Sequence, residues 1–299
     1  ILLCGVGLIV NVITTAGIGN TFSLMIAQWS DGSMLIALAL VALASLVLGM
    51  GLPVTAAYIV LGTLSAPALN QLILEGQTVE LIAAGQLPET AKAMFMIAVP
   101  DQIAALAAPM SMAEARAIVD ALPPELMLQV YDLAFDPAAL TLALLSAHMI
   151  IFWLSQDSNV TPPVCLAAFT AAAIAESPPM KTGVAAWKVA KGLYFVPLLF
   201  AYTPFLSGNW PEMLEIFAFA LPGLWAVSAA IQGHWENRLH PIERVLVLAV
   251  GATLMWPIGG LVHLVALAAF VGLFWWNVRK GRTASTIAVL PQHTARAAS

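Results

Sequence analysis

Apolar residues run along this chain in unbroken blocks, at approximately 1–16, 34–48, 54–69, 138–154, 164–175, 189–206, 213–232, 245–256 and 258–276. Blocks of this kind, without period-two alternation, predict helices rather than the strands of a transmembrane barrel. Those at 189–206, 213–232 and 258–276 hold roughly the 17–20 residues that one bilayer crossing needs. Four shorter blocks flank two breaks, LGMGLPVTAAY at 48–58 and SQDSNVTPPV at 155–164. From residue 277 the pattern lapses, and 277–299 are expected to form a disordered tail.

The first break sits inside a stretch, 34–69, that would be about 54 Å long as one helix, against a bilayer core of about 30 Å. One straight crossing is too long, so two half-helices meeting at GMGLP in a re-entrant hairpin are predicted. Gly49 and Gly51 admit backbone conformations closed to other residues, and Pro53 suits a first helical turn. Backbone freed at such a tip is tolerated only inside protein or along a cavity. The second break sets Ser155, Gln156, Asp157, Ser158, Asn159 and Thr161 between apolar neighbours, and Pro162 and Pro163 keep it from closing into a helix. An intramembrane Asp is by default a functional hypothesis, and oxygen donors suit hard cations. Paired interrupted helices point to a midplane substrate and ion site in secondary transporters.

Composition places these blocks in a membrane. The chain is 61% hydrophobic and 9% charged, with a mean hydropathy of +0.92. A soluble domain of similar size carries about 25% charged residues. Between 70 and 137 nine acids (Glu75, Glu80, Glu89, Asp101, Glu114, Asp120, Glu125, Asp132, Asp136) meet two bases, Lys92 and Arg116. This segment is expected to be an acidic, helical, extramembranous insertion, with Ser111 and Glu114 forming a capping box at one helix start. The remaining bases cluster as Lys181, Lys188 and Lys191; Arg238 and Arg244; and Arg279, Lys280, Arg282 and Arg296. Crossings at about 189–206, 213–232, 242–256 and 258–276 put all three clusters on one side, which makes the C-terminus cytoplasmic and the insertion external. The resulting division is 1–69, helix plus hairpin; 70–137, insertion; 138–206, discontinuous helix and the helix after it; 207–276, C-terminal membrane helices; 277–299, tail.

Other chemistry is thin. Cys4 and Cys165 lie in apolar blocks and are expected to be buried free thiols. The five histidines show no metal-ligand spacing, and His148 is expected to pack at a membrane segment. No phosphate loop or nucleotide fingerprint supports ATP-driven transport, and the basic tail is too sparse for nucleic-acid binding. An intramembrane hydrolase using Asp157 would need a second carboxylate, which the membrane blocks do not supply. A passive channel stays open as an alternative to an ion-coupled transporter.

GMGLPVTAAYIVLGTLSAPAL, followed by AHMIIFWLSQDSNVTPPVCLAAFTAAAIAESPPMKTGVAAWKVAKGLYFVPLLFAYTPFL, resembles the second repeat of the large membrane subunit of TRAP transporters. The likeness is closer to the fused permease that works with TAXI-type solute-binding proteins. It implies an all-α polytopic membrane bundle with a re-entrant hairpin and a discontinuous helix, the second repeat of an elevator-type ion transporter. It also implies Na⁺ symport of a small organic anion, commonly a carboxylate, delivered by a periplasmic binding protein across a bacterial inner membrane. No cofactor is implied beyond Na⁺ as coupling ion. Carbonyls of Gly49, Met50 and Gly51, with oxygens of Thr55, Ser158, Asn159 and Thr161, would bind Na⁺, Asp157 completing that site or lying just behind it. Pro53, Thr161, Pro162 and Pro163 would border the substrate. The chain opens inside an apolar block without Met, so it is expected to be the C-terminal part of a longer permease whose N-terminal part is a further partner. The acidic insertion departs from the short loop usual in the family at that point.

Overall fold

The structure, a computed structural model, describes residues 2–49, 52–100, 105–163, 165–256 and 260–294. Among the described residues it is all-α, with fourteen α-helices and no strand. The helices fall into two compact units, Ile1–Ser158 and Asn159–Ser299.

The first unit is built on one long helix. Its elements are α1 (Leu2–Thr15), α2 (Ile18–Ser30), α3 (Met34–Gly49), α4 (Val54–Ala83), α5 (Glu89–Ala98), α6 (Met112–Asp120), α7 (Pro124–Ala134) and α8 (Pro137–Gln156). Helices α1, α2, α3, α6 and α8 all pack on α4. Small residues let them approach: Ala56, Ala57, Gly62, Ser65, Ala66 and Ala68 are buried along α4, as membrane helix interfaces favour. Polar groups then join the helices. Ser23 of α2 donates to the Leu64 carbonyl at 2.8 Å, and the Tyr58 hydroxyl lies 3.2 Å from His148 Nδ1 on α8.

Two expectations change here. The apolar block ends at Leu69, yet α4 continues to Ala83, so residues 70–83 form its second half rather than the start of a separate insertion. The reason is a change of pattern: beyond Asn70 the helix is amphipathic, and Leu72, Ile73, Leu74, Val79 and Ile82 stay buried. The short helices α5 to α7 follow, and the capping box forms, with Ser111 Oγ accepting from Glu114 N–H and Glu114 accepting from Ser111 N–H. The Ser111 hydroxyl also donates to the Glu114 carboxylate at 2.7 Å, and that bond first, then the one from Ser111 N–H, holds the carboxyl below its ordinary range. Arg116 of α6 pairs with Glu75 on α4 and with Asp120, and its guanidinium lies over Gly32 in the turn between α2 and α3. The second change is α2, an element the apolar blocks leave out. Its Asn20, Thr21, Ser23 and Gln28 dilute the pattern, and it meets α1 at a 72° bend.

The second unit holds α9 (Leu166–Ile174), α10 (Pro179–Val189), α11 (Val196–Tyr202), α12 (Trp210–Gln232), α13 (Pro241–Met255) and α14 (Gly260–Thr294). The crossing expected over 189–206 is not one helix. A 3-10 turn at Ala190–Tyr194 separates α10 from α11, where Gly192 and Pro197 weaken an α-helical ladder. Helices α12 and α13 touch backbone to side at two glycines: a Cβ on Gly223 would lie 3.0 Å from the Gly251 carbonyl, and one on Gly251 would lie 2.9 Å from the Gly223 carbonyl. The turn expected at Pro257 falls outside the described residues. Tail formation from 277 is also revised. Asn277 is 1% exposed and belongs to α14; its side-chain amide exchanges two hydrogen bonds with the Asn237 backbone, and its own carbonyl accepts a third from the Asn237 side-chain amide, all at 2.8–3.1 Å. Around that lock Trp225, Trp235, Phe270 and Phe274 form an aromatic cluster with centroids 5.2–5.9 Å apart.

By length and composition α4, α8, α12 and Gly260–Lys280 can each cross a membrane. The bent pairs at α1–α2 and α10–α11 would raise the count to six. The all-α polytopic membrane architecture read from the sequence is the one observed.

Candidate functional site

The site begins with two helix ends. Helix α3 stops at Gly49, which is buried, and α4 starts at Val54 with Pro53 as its N-cap. Pro53 accepts at its carbonyl from the Ala57 N–H at 2.9 Å, an ordinary first-turn bond. At 16 residues α3 is about 24 Å long, short of the apolar core. It packs along α4 and α8. Met50 and Gly51 lie outside the described residues. Pro53 and Thr55 are exposed.

The second break interrupts the helical run between α8 and α9. Asp136 caps the start of α8, its Oδ1 accepting from Ala139 N–H at 2.7 Å, and Pro137 fills the first helical position. Twenty residues later α8 gives way to a 3-10 turn, Asp157–Asn159, and the chain resumes as α9 only at Leu166. Between them the Pro162–Pro163 peptide is cis.

One bond fastens the two breaks within the first unit. Ser45 Oγ, buried one turn before the end of α3, donates to the Leu154 carbonyl at 2.9 Å, near the end of α8. Both helices therefore bring C-terminal ends to the same neighbourhood, with the partial negative charge and free carbonyls that such ends carry. Asp157 caps α8 there. It is 5% exposed, and neither carboxylate oxygen has a hydrogen-bond partner among the described residues. A buried carboxylate left without partners is costly, and protonation or a bound cation relieves the cost. No group of three or more His, Cys, Asp or Glu converges among the described residues, so the donor set is backbone and hydroxyl oxygen plus one carboxylate. That chemistry fits an alkali cation better than a transition metal.

The other predicted residues divide between the units. Ser158 closes the first unit, and its side chain lies outside the described residues. In the second unit Asn159 and Pro162 are half-buried and Pro163 is exposed. Thr161 is buried, and its hydroxyl is 2.9 Å from the Tyr194 hydroxyl, in the 3-10 turn after α10. Helix α10 comes close to this loop at Gly183, where a Cβ would stand 2.5 Å from Cys165 Sγ. Cys165 is buried and free, while Cys4 is free but exposed, since α1 turns another face to α4. Ser45 and Tyr194 are the residues sequence reasoning passed over. Ser45 had a signal, being the only hydroxyl in MLIALALVALASLVLG. Tyr194 had none, because its partner is thirty-three positions away.

A family model described as Tripartite ATP-independent periplasmic transporter, DctM component, matches residues 1–206. The chain belongs to this family. Comparison with curated proteins and with solved structures returns no match. The DctM region thus spans all of the first unit and the second as far as α11, including both breaks, while α12, α13 and α14 lie beyond it. Membership makes the chain a component of a multi-pass TRAP transporter permease, a transport protein by family rather than an enzyme.

Proposed function

We propose that this chain is the permease component of a Na⁺-driven, secondary-active TRAP importer of small organic anions, chiefly carboxylates. Its partner is a periplasmic solute-binding protein of the TAXI type. The observation that carries the reading is Asp157, a buried and unpartnered carboxylate beside two helix C-termini that Ser45 holds together. Na⁺ binds to that carboxylate and to carbonyls at the Gly49 end of α3, with Met50, Gly51, Thr55 and Ser158 as the remaining oxygen donors. The N-terminal end of α4, behind Pro53, carries the opposite partial charge and receives the substrate carboxylate. The α3–α4 pair acts as a re-entrant hairpin of an elevator-type transport domain, completed by an N-terminal part of the permease. The helices α5 to α7 lie on the periplasmic side and the C-terminus in the cytoplasm of an inner membrane, in keeping with the positive clusters.

The test is uptake by the full-length permease with its binding protein in liposomes. An inward Na⁺ gradient should drive accumulation, and Asp157→Asn should lower it at least tenfold. In detergent, Na⁺ should raise the unfolding midpoint of the parent, as any ligand of the native state does, and leave that of the variant unmoved. Uptake indifferent to both the gradient and the binding protein would return the protein to the passive-channel reading. Full Na⁺ activation in Asp157→Asn would remove that carboxylate from the site.

A further inference from the structure

A concavity of about 490 Å³ lies in the second unit where α12 ends and α13 begins, lined by Gln232, Arg238, His240, Pro241, Arg244 and Lys280 among others. It is outside the residues that match the DctM family. Three cations from three elements converge on it: the loop after α12, the first turn of α13, and the crossing part of α14.

Each cation is held differently. Arg244 reaches back over Gly233 and caps α12, its Nε donating to the Ala230 carbonyl at 2.8 Å and its Nη2 to the Ile231 carbonyl at 3.0 Å. A guanidinium has five N–H donors, so three remain for a ligand. Lys280 pairs with Glu243 at 2.9 Å, and Glu243 in turn accepts from His240 N–H at 2.7 Å. Arg238 is exposed, and its side chain has no hydrogen-bond or ion-pair partner among the described residues. Glu243 offsets one of the three cations, which leaves the concavity with a net positive charge. The loop that carries Arg238 does not float. The Asn237–Asn277 lock and buried Trp235 fix it to α14.

The surroundings say what kind of anion this would be. On α13, whose first turn borders the concavity at Pro241 and Arg244, Ile242, Val245 and Leu246 are exposed by 67%, 66% and 49%. Helix α13 packs on α12 and α14, both of which contain a stretch long and apolar enough to cross a membrane, so its exposed apolar side chains are placed to meet hydrocarbon. A free anion would use the cations alone. A phosphate carrying acyl chains would use the cations and the apolar strip together. We propose that this concavity binds the phosphodiester headgroup of an anionic membrane lipid, with Arg238, Arg244 and Lys280 on the phosphate and the acyl chains along Ile242, Val245 and Leu246. Basic pockets between membrane helices on the cytoplasmic side are suited to such headgroups, and Arg is suited to phosphate by its planar donor fork.

The experiment uses the full-length permease, delipidated in detergent and titrated with phosphatidylglycerol, phosphatidylcholine or inorganic phosphate. Bound lipid is counted by native mass spectrometry. The parent should retain phosphatidylglycerol in preference to phosphatidylcholine, and inorganic phosphate should not displace it at equal concentration. Arg238→Gln removes a cation with no structural partner, so the unfolding midpoint should hold while lipid affinity falls about fivefold, as expected for one charge at a membrane surface. Lys188→Gln, an exposed cation elsewhere in the unit, should change nothing. Equal retention of the two lipids, unaltered binding in Arg238→Gln, or an equal loss in Lys188→Gln would each overturn the assignment. Displacement by inorganic phosphate would make this a free-anion site and overturn the lipid.

Discussion

Helices α4 and α14 reverse the intuition that the more apolar helix lies deeper. The most apolar 18-residue window of α4 has a mean hydropathy of 1.4 and is 67% buried, whereas that of Gly260–Lys280 has 1.9 and is 17% buried. In water the ranking would run the other way. In a bilayer, lipid is as apolar as leucine, so hydropathy gives a helix no reason to leave the lipid for the protein. Close packing and polar partners give that reason. Helix α4 has both: small residues over its first half, and Tyr58, the Leu64 carbonyl and Glu75 tied to His148, Ser23 and Arg116 on other helices. Among its described residues helix α14 has no comparable row of buried small residues; its polar anchors are Asn277, the exposed Lys280 paired with Glu243, and His263 on the Trp256 carbonyl, and Phe270 and Phe274 pack near Asn277.

This contrast can be broken by mutation. The largest expected effect is Arg116→Ala, which strands Glu75, a carboxylate with only 16% of its side chain exposed, on the central helix. Removing one partner of such a pair should cost about 3 kcal/mol in reversible unfolding in micelles, and Arg116→Ala with Glu75→Gln should recover most of it. Next comes Leu69→Ala, fully buried on α4, which should cost about 2 kcal/mol through lost contacts. Asn277→Ala should come close behind, at about 1–2 kcal/mol for the two side-chain bonds to Asn237 that it removes, with the loss visible as faster hydrogen exchange in the loop after α12. Leu264→Ala, 59% exposed on α14, should stay within about 0.5 kcal/mol. If Leu264→Ala cost as much as Leu69→Ala, the burial contrast would not reflect packing energy in the membrane.

The two breaks were unequally legible. LGMGLPVTAAY announces itself through Gly49, Gly51 and Pro53, since glycine and proline change what the backbone can do whatever surrounds them. Asp157 announced itself too, because an acid in an apolar block has few bland explanations. That it would be left without a hydrogen-bond partner depends on how α8 ends. Ser45, the bond that brings the two breaks together, is one hydroxyl among apolar residues and spans 109 positions. The same limit explains α2, whose polar residues hide a helix that is stabilised by α4, and the second half of α4, where a change from continuous to amphipathic pattern looked like the end of a helix.

By itself the sequence determined that this is a helical membrane protein, where its helices break, and which residue types occupy the breaks. Those properties follow from local rules: backbone groups in lipid must bond within their own segment, and glycine, proline and charge act where they stand. Only the tertiary structure decided which helix forms the core, that Arg116 fastens the acidic segment to it, and that Arg238, Arg244 and Lys280 share one concavity. Lipid and leucine are equivalent solvents, so hydropathy is silent on helix partners, and the choice falls to small-residue fit and to hydrogen bonds between residues far apart in the chain.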